Sequence, residues 1–223
     1  MWNTIGLLFL LTITSFFPVS YCFAASNSSK EIHNNDSILI SVYADLSKHY
    51  QHINVDSSTF FLKKILEIAK KNDLKSIEAR TIVKYGANLY IRGDYEMALD
   101  YFMLSLKKHE ALHDKNGIAV GYNNIGMIYN VQGRPKKAIK YHKRSIDLCK
   151  YINNSILLAT NYFNIGISFH QKKILDSAII YANKAIIINK NINKEDKNFK
   201  IYNLKGRIYT ESNNFFNAKE MFN

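Results

Sequence analysis

Apolar and small residues recur along this chain in fixed register. Gly86, Gly126, Gly166 and Gly206 lie forty residues apart, each inside an apolar stripe. Four positions before them stand Ile82, Tyr122, Tyr162 and Tyr202, and one before stand Tyr85, Ile125, Ile165 and Lys205. Three after come Leu89, Tyr129, Phe169 and Tyr209. These offsets fall on one side of a helix with 3.6 residues per turn, so each copy opens with an amphipathic helix. A break comes next at Gly93-Asp94, Gly133-Arg134-Pro135, Lys173 to Asp176 and Asn213-Asn214. Glycine supplies turn geometry there, Asp or Asn caps the next helix, and Pro135 suits a first helical turn. The second helix carries Ala98, Ala138, Ala178 and Ala218, an aromatic or Met three further on (Tyr101, Tyr141, Tyr181, Met221), and an aliphatic at Leu106, Ile146 and Ile186. The glycine lets another helix come close. The alanine is predicted to mark the crossing, since a larger side chain would push the pair apart.

The pattern resembles the tetratricopeptide repeat, whose consensus places aromatic, large apolar, Gly, aromatic and Ala residues at these spacings. Gly93-Asp94-Tyr95-Glu96-Met97-Ala98-Leu99-Asp100-Tyr101-Phe102 carries the resemblance best, followed by Tyr122 to Gly126 and Ala138 to Tyr141. It implies an all-α fold, a right-handed superhelical solenoid of antiparallel helix pairs. Copies are predicted over 76–115, 116–155 and 156–196, with an incomplete fourth over 197–223. The period exceeds that family's usual thirty-four by six residues, or about 9 Å of helix. Asp114-Lys115-Asn116-Gly117-Ile118-Ala119 is similar to the long subclass of the family. Residues 36–75 read as a worn copy that caps the array, with Leu46 for the glycine, Ser58 for the alanine, and helix caps at Asp36-Ser37 and Asp56-Ser57. The fourth copy stops short with Phe215, Phe216, Met221 and Phe222 lacking a closing helix, which reads as a fragment or an early-terminated product.

Residues 1–24 hold no charged side chain, and Ile5 to Phe17 is an apolar run ended by Pro18. That length is short for a bilayer span and fits a secretory signal cleaved after Cys22-Phe23-Ala24. Two alternatives stay open: an uncleaved anchor, and a lipid attached at Cys22 within Val19-Ser20-Tyr21-Cys22. Ser- and Asn-rich residues 25–35 read as a flexible lead-in. The protein is therefore expected to be exported, to the periplasm or the outer face of the cell membrane, leaving Cys149 as the lone thiol. Membrane contact is expected only through the N-terminal segment or a missing C-terminal part. Net charge is +12, yet 25 Asn, 29 Ile and 25 Lys point to composition as its source. With only five Arg and no reading motif, nucleic acid is not an expected partner.

His109-Glu110-Ala111-Leu112-His113 matches the H-E-x-x-H signature of zinc hydrolases, which needs two imidazoles one helical turn apart. The same phase holds Cys149 to Asn153 and Asn189 to Asn193, so the match reads as the tail of an ordinary repeat helix. His142 and His170 are expected to be solvated or groove-lining. No phosphate loop, nucleophile elbow or paired carboxylates appear, and neither enzyme activity, metal nor cofactor is expected.

In tetratricopeptide proteins the first helices line a concave face that holds a protein or peptide. Carried over position by position, the resemblance implies Arg80, Val83, Lys84 and Tyr90 in the first copy, and Asn123, Asn124, Met127 and Asn130 in the second. It implies Phe163, Asn164, Ile167 and His170 in the third, and Lys200, Asn203 and Arg207 in the fourth. Asn124 and Asn164 resemble the asparagines with which such domains hold a peptide backbone, an amide being donor and acceptor at once. The mixed amide, aromatic and basic character suggests a ligand with acidic groups. Besides a zinc hydrolase using His109 and His113, two functions are weighed. One is the sensory part of a bacterial membrane regulator, ahead of a histidine kinase or DNA-binding module, and the other a freestanding envelope scaffold or assembly factor.

Overall fold

The computed structural model describes residues 34–214 and residue 217, all within the unit Ile32–Asn223. The predicted signal segment 1–24, most of the lead-in and nearly all of the helix predicted from Asn214 onward lie outside the described residues. Asn34 and Asn35, expected in the lead-in, already belong to a helix. The described helices are α1 Asn34–Tyr50, α2 Val55–Lys71, α3 Lys75–Arg92, α4 Tyr95–Ala111, α5 Lys115–Val131, α6 Pro135–Tyr151, α7 Ser155–Gln171, α8 Leu175–Asn191 and α9 Phe199–Glu211. A 3₁₀ turn at Glu195–Asn198 precedes the last.

A finer beat than forty governs this architecture. Left-handed backbone recurs at Asp73, Gly93, His113, Gly133, Asn153, Lys173, Asn193 and Asn213, one residue in every twenty. At each, the next amide bonds back to a carbonyl five residues earlier: Leu74 to Ala69, Asp94 to Leu89, Asp114 to His109, and so on to Asn214 and Tyr209. This closure satisfies carbonyls that a helix end leaves open. Five of the seven steps between these residues are a seventeen-residue helix, about 25 Å long, and a three-residue turn. Helix α3 has eighteen residues and a two-residue turn, and the last step is the 3₁₀ turn and α9. Two of the eight left-handed positions are glycine, which is why the turn after α7, with Lys173 at φ 59°, carries no glycine signal in the sequence.

Each helix packs antiparallel on the next. The first helices of successive copies also touch one another (α3 with α5, α5 with α7, α7 with α9), whereas the second helices α4, α6 and α8 do not. First helices therefore form the inner wall of the right-handed superhelical solenoid and second helices its splayed outer row. Ala98, Ala138 and Ala178 are completely buried where paired helices cross. Aromatic stacks lock the pairs: Tyr85 on Tyr101 at 4.7 Å, Tyr129 on Tyr141 at 5.4 Å and Phe169 on Tyr181 at 5.3 Å.

Helices α1 and α2 form a pair of the same kind. At the crossing, Ser58 replaces alanine and is accommodated by a 3.0 Å bond with Ser47 of α1 and one from Asn88 of α3 at 2.9 Å. The cap of α2 differs from the sequence expectation. Asn54, two residues earlier, accepts from the amides of Asp56 and Ser57 at 3.1 Å.

Candidate peptide-binding groove

All residues that the resemblance places on the concave face do sit on first helices, but their side chains split into two groups. The first group is committed internally. Asn164 is buried. Its amide donates to Asn123 Oδ1 at 3.0 Å, and its backbone carbonyl accepts from Asn130 Nδ2 at 3.1 Å. Asn123, also buried, donates to Asn124 Oδ1 at 3.2 Å. Ser168 donates to Asn130 Oδ1 at 2.6 Å. These amides join α5 to α7 and set the spacing of the inner wall. His170 is buried against α9, its Nε2 2.8 Å from Glu211 Oε1, while Lys173 Nζ meets the other oxygen at 3.0 Å. Those two hydrogen bonds hold the Glu211 carboxyl below the usual carboxylate range.

The second group faces solvent. Lys84 is exposed on α3, and Asn124 and Met127 are half-buried on α5. Desolvation, then the like charge of Arg80, pushes the Lys84 ammonium below its ordinary value, with Asp45 opposing. Asn124 keeps its amide nitrogen without a partner among the described residues, so it can still donate to a ligand. Further along, Phe163, Ile167, His170 and Gln171 of α7 face Lys200, Asn203, Leu204 and Arg207 of α9 across a cleft of about 310 Å³. Six of these eight come from the concave positions named from sequence. Gln171 and Leu204 were missed: Gln171 lies one residue beyond the family's last contact position, and Leu204 holds the contact position of Lys84, Asn124 and Asn164 but was not named in the fourth copy. The cleft offers an apolar floor with two cations and an amide at its rim, so it suits an apolar side chain flanked by acceptor groups.

Sequence reasoning also missed a buried polar network behind this wall. His142, expected to be solvated or groove-lining, is completely buried. Its Nδ1 lies 3.1 Å from Asn161 Oδ1, and Asn161 donates to Ser145 Oγ at 2.8 Å. Ser145 in turn donates to the Ala119 carbonyl at 2.7 Å. Burial lowers the His142 pKa to about 4, so the ring is neutral at pH 7. The phase of the repeat carried the signal, because His142 occupies the position of Phe102 and Ala182, both buried. A Cβ on Gly126 would come 2.6 Å from the His142 ring, so glycine is what admits it.

The H-E-x-x-H segment does not assemble as a metal site. Helix α4 ends at Ala111 and His113 adopts φ 52°, so the two imidazoles do not share a helix face. His109 is buried in the column of Ala69, Cys149 and Asn189, with Nδ1 2.9 Å from Asp114 Oδ2. Desolvation lowers its pKa, opposed by Asp114. Among the described residues no three His, Cys, Asp or Glu side chains gather as ligands.

The tetratricopeptide repeat model matches residues 77–150 and 117–191, together over half of the chain. The photosystem I assembly protein Ycf3 of Rippkaea orientalis is 34% identical over 84 residues, covering 38% of this chain and 46% of that protein. This chain thus spans less than half the length of that curated relative. Among solved structures, a signal-transduction ATPase of the STAND class with a tetratricopeptide repeat sensor, from Pyrococcus horikoshii, superposes with TM-score 0.67 at 19% identity. The match covers 86% of this chain and 30% of that one. Aspartyl phosphate phosphatase F of Bacillus subtilis gives TM-score 0.67 at 18% identity, covering 86% of this chain and 59% of that one. Both structural likenesses speak to fold alone. With its repeats, helix pairing and inner wall on the family pattern, the chain belongs to the tetratricopeptide repeat family, whose members bind protein partners.

Proposed function

We propose that the protein is an exported, non-catalytic module that takes a peptide or protein segment along its inner wall and serves as the sensory part of a bacterial signal-transduction protein. The α7–α9 cleft carries this reading. Apolar Phe163, Ile167 and Leu204 lie beneath the exposed cations Lys200 and Arg207, which form no ion pair among the described residues. An extended segment with an apolar side chain and neighbouring acidic groups matches that chemistry, and the Asn124 amide could hold its backbone. Export rests on the charge-free apolar leader. The sensory role draws on the repeat-sensor ATPase and the Bacillus phosphatase as structural neighbours. The cyanobacterial relative, an assembly protein by name, favours a second reading, an envelope scaffold or assembly factor.

The groove is tested by panning a displayed random-peptide library on the full chain and measuring the enriched peptides against Phe163→Ala and Arg207→Glu. Each substitution should weaken binding about tenfold or more, with an unchanged helical spectrum. Equal affinity for parent and variants refutes the groove. Fusing residues 1–33 to a reporter active only outside the cytoplasm tests export, and an inactive fusion overturns it.

A further inference from the structure

Opposite the groove, the outer row carries a charge cluster that peptide binding does not use. Helix α6 exposes Lys136, Lys137, Lys140, Lys143, Arg144 and Lys150 against one acid, Asp147. At 100° per residue these cations fall within an arc of about 140°, along about 21 Å of helix. Among the described residues none has an acidic group within ion-pair distance. Glu96, Asp100 and Glu110 on α4 and Asp176 on α8, the acids on neighbouring outer helices, do not reach them. Lys136 and Lys137 even occupy the first turn of α6, where the helix dipole repels positive charge. Five other helices hold an acid in that turn (Asp36, Asp56, Glu78, Glu96 and Asp176), while α5, α7 and α9 hold none. Charge placed against the helix's own stability points to a role outside it.

The flanks of this stripe are apolar. On α4, Met97, Met103 and Leu104 are 53%, 40% and 45% exposed, and on α8, Ile180 and Ile187 are 53% and 59% exposed. Repeat phase aims them with the cations. Leu104 matches Arg144, Ile180 matches Lys140, and Ile187 matches Asp147. We infer that this outer face adsorbs to a membrane surface rich in anionic lipid. The cations of α6 meet the headgroups, while Met103, Leu104, Ile180 and Ile187 enter the headgroup–acyl boundary. A nucleic acid would engage the cations but leave those four apolar side chains in water. A bound peptide would want a cleft, and the α7–α9 cleft lies on the inner wall. The proposal stands independently of the groove.

The test measures the full chain on vesicles of neutral phosphatidylcholine and on vesicles with ~30% phosphatidylglycerol, at low and high salt. The apolar run Ile5 to Phe17 adds to both, so the ratio of affinities isolates charge. The parent should prefer anionic vesicles, and salt should erase the preference. Replacing Lys136, Lys137, Lys140 and Lys143 by Gln should cut the ratio about fivefold per lysine, hence more than about 100-fold in all. Leu104→Ser with Ile180→Ser should weaken binding to anionic vesicles and leave the salt dependence intact. All these positions are exposed, and an unchanged helical spectrum confirms each variant's fold. Equal affinity of the parent for both vesicles overturns the proposal, as does a preference that survives the four substitutions. Retention on nucleic acid or polyglutamate through the same lysines, without lipid preference, overturns it in favour of a polyanionic partner.

Discussion

Acid should loosen the joint between the second and third copies through one buried ring. Desolvation holds His142 at a pKa of about 4 in the folded chain, whereas an unfolded histidine titrates near 6.5. The folded pKa is the lower one, so the unfolded chain binds the proton more tightly. The stabilisation is fully present above pH 6.5 and drains away as pH falls towards 4. With 1.36 kcal/mol per unit, the whole effect is about 3 kcal/mol, of which about 2 kcal/mol is gone by pH 5. Against a typical 5–15 kcal/mol for a domain, that loss is readily measured. The assay is urea unfolding followed by circular dichroism at pH 7 and pH 5, for the parent and for His142→Phe. Phenylalanine suits the site because Phe102 fills the same position, packed on Gly86, one copy earlier. The variant should be weaker at pH 7 by about 1–3 kcal/mol, because Asn161 Oδ1 loses its partner. Its loss between pH 7 and 5 should be about 2 kcal/mol smaller than the parent's. His109 and Glu211, whose pKa values are also lowered, are present in both proteins, so the difference cancels them. Parallel pH profiles would refute the burial argument.

Two further outcomes concern the turns. A Cβ on Gly117 would fall on the His109 ring, so Gly117→Ala should cost about 1–3 kcal/mol. His109→Ala in the same chain should restore most of it, and additive losses in the thermal double-mutant cycle would refute the contact. His113 holds φ 52° on an exposed turn, so His113→Gly should raise stability by about 1 kcal/mol, read as a higher melting temperature. A lower one refutes the strain.

What the sequence disclosed and what it hid have physical reasons. The helix pairs and their crossings were legible because steric demand at Gly86, Gly126 and Gly166, and at Ala98, Ala138 and Ala178, tolerates few residue types. The cleft was largely legible too, since Phe163, Asn203 and Arg207 stand at positions that repeat phase assigns to the inner wall. The twenty-residue beat was hidden because Asp, His, Asn and Lys all serve at its left-handed residue. The roles of Asn123, Asn164 and His142 were hidden because an amide or an imidazole reads as solvent-facing until its partner is known. Those partners lie in another helix: Asn161 is nineteen residues from His142, and Asn164 forty-one from Asn123.

The turn that recurs every twenty residues from Asp73 onward has an arithmetic consequence for how such a chain can lengthen. Duplicating one helix and its turn preserves the beat but reverses direction, so every later inner strut becomes an outer one and the ligand-facing row is turned inside out. Duplicating two restores parity. A single inserted residue within a helix is worse still, because it rotates everything beyond it by about 100° within that helix. Growth and shrinkage of this array are therefore quantised in forties, and slips of any other size must hide in the turns or be lost.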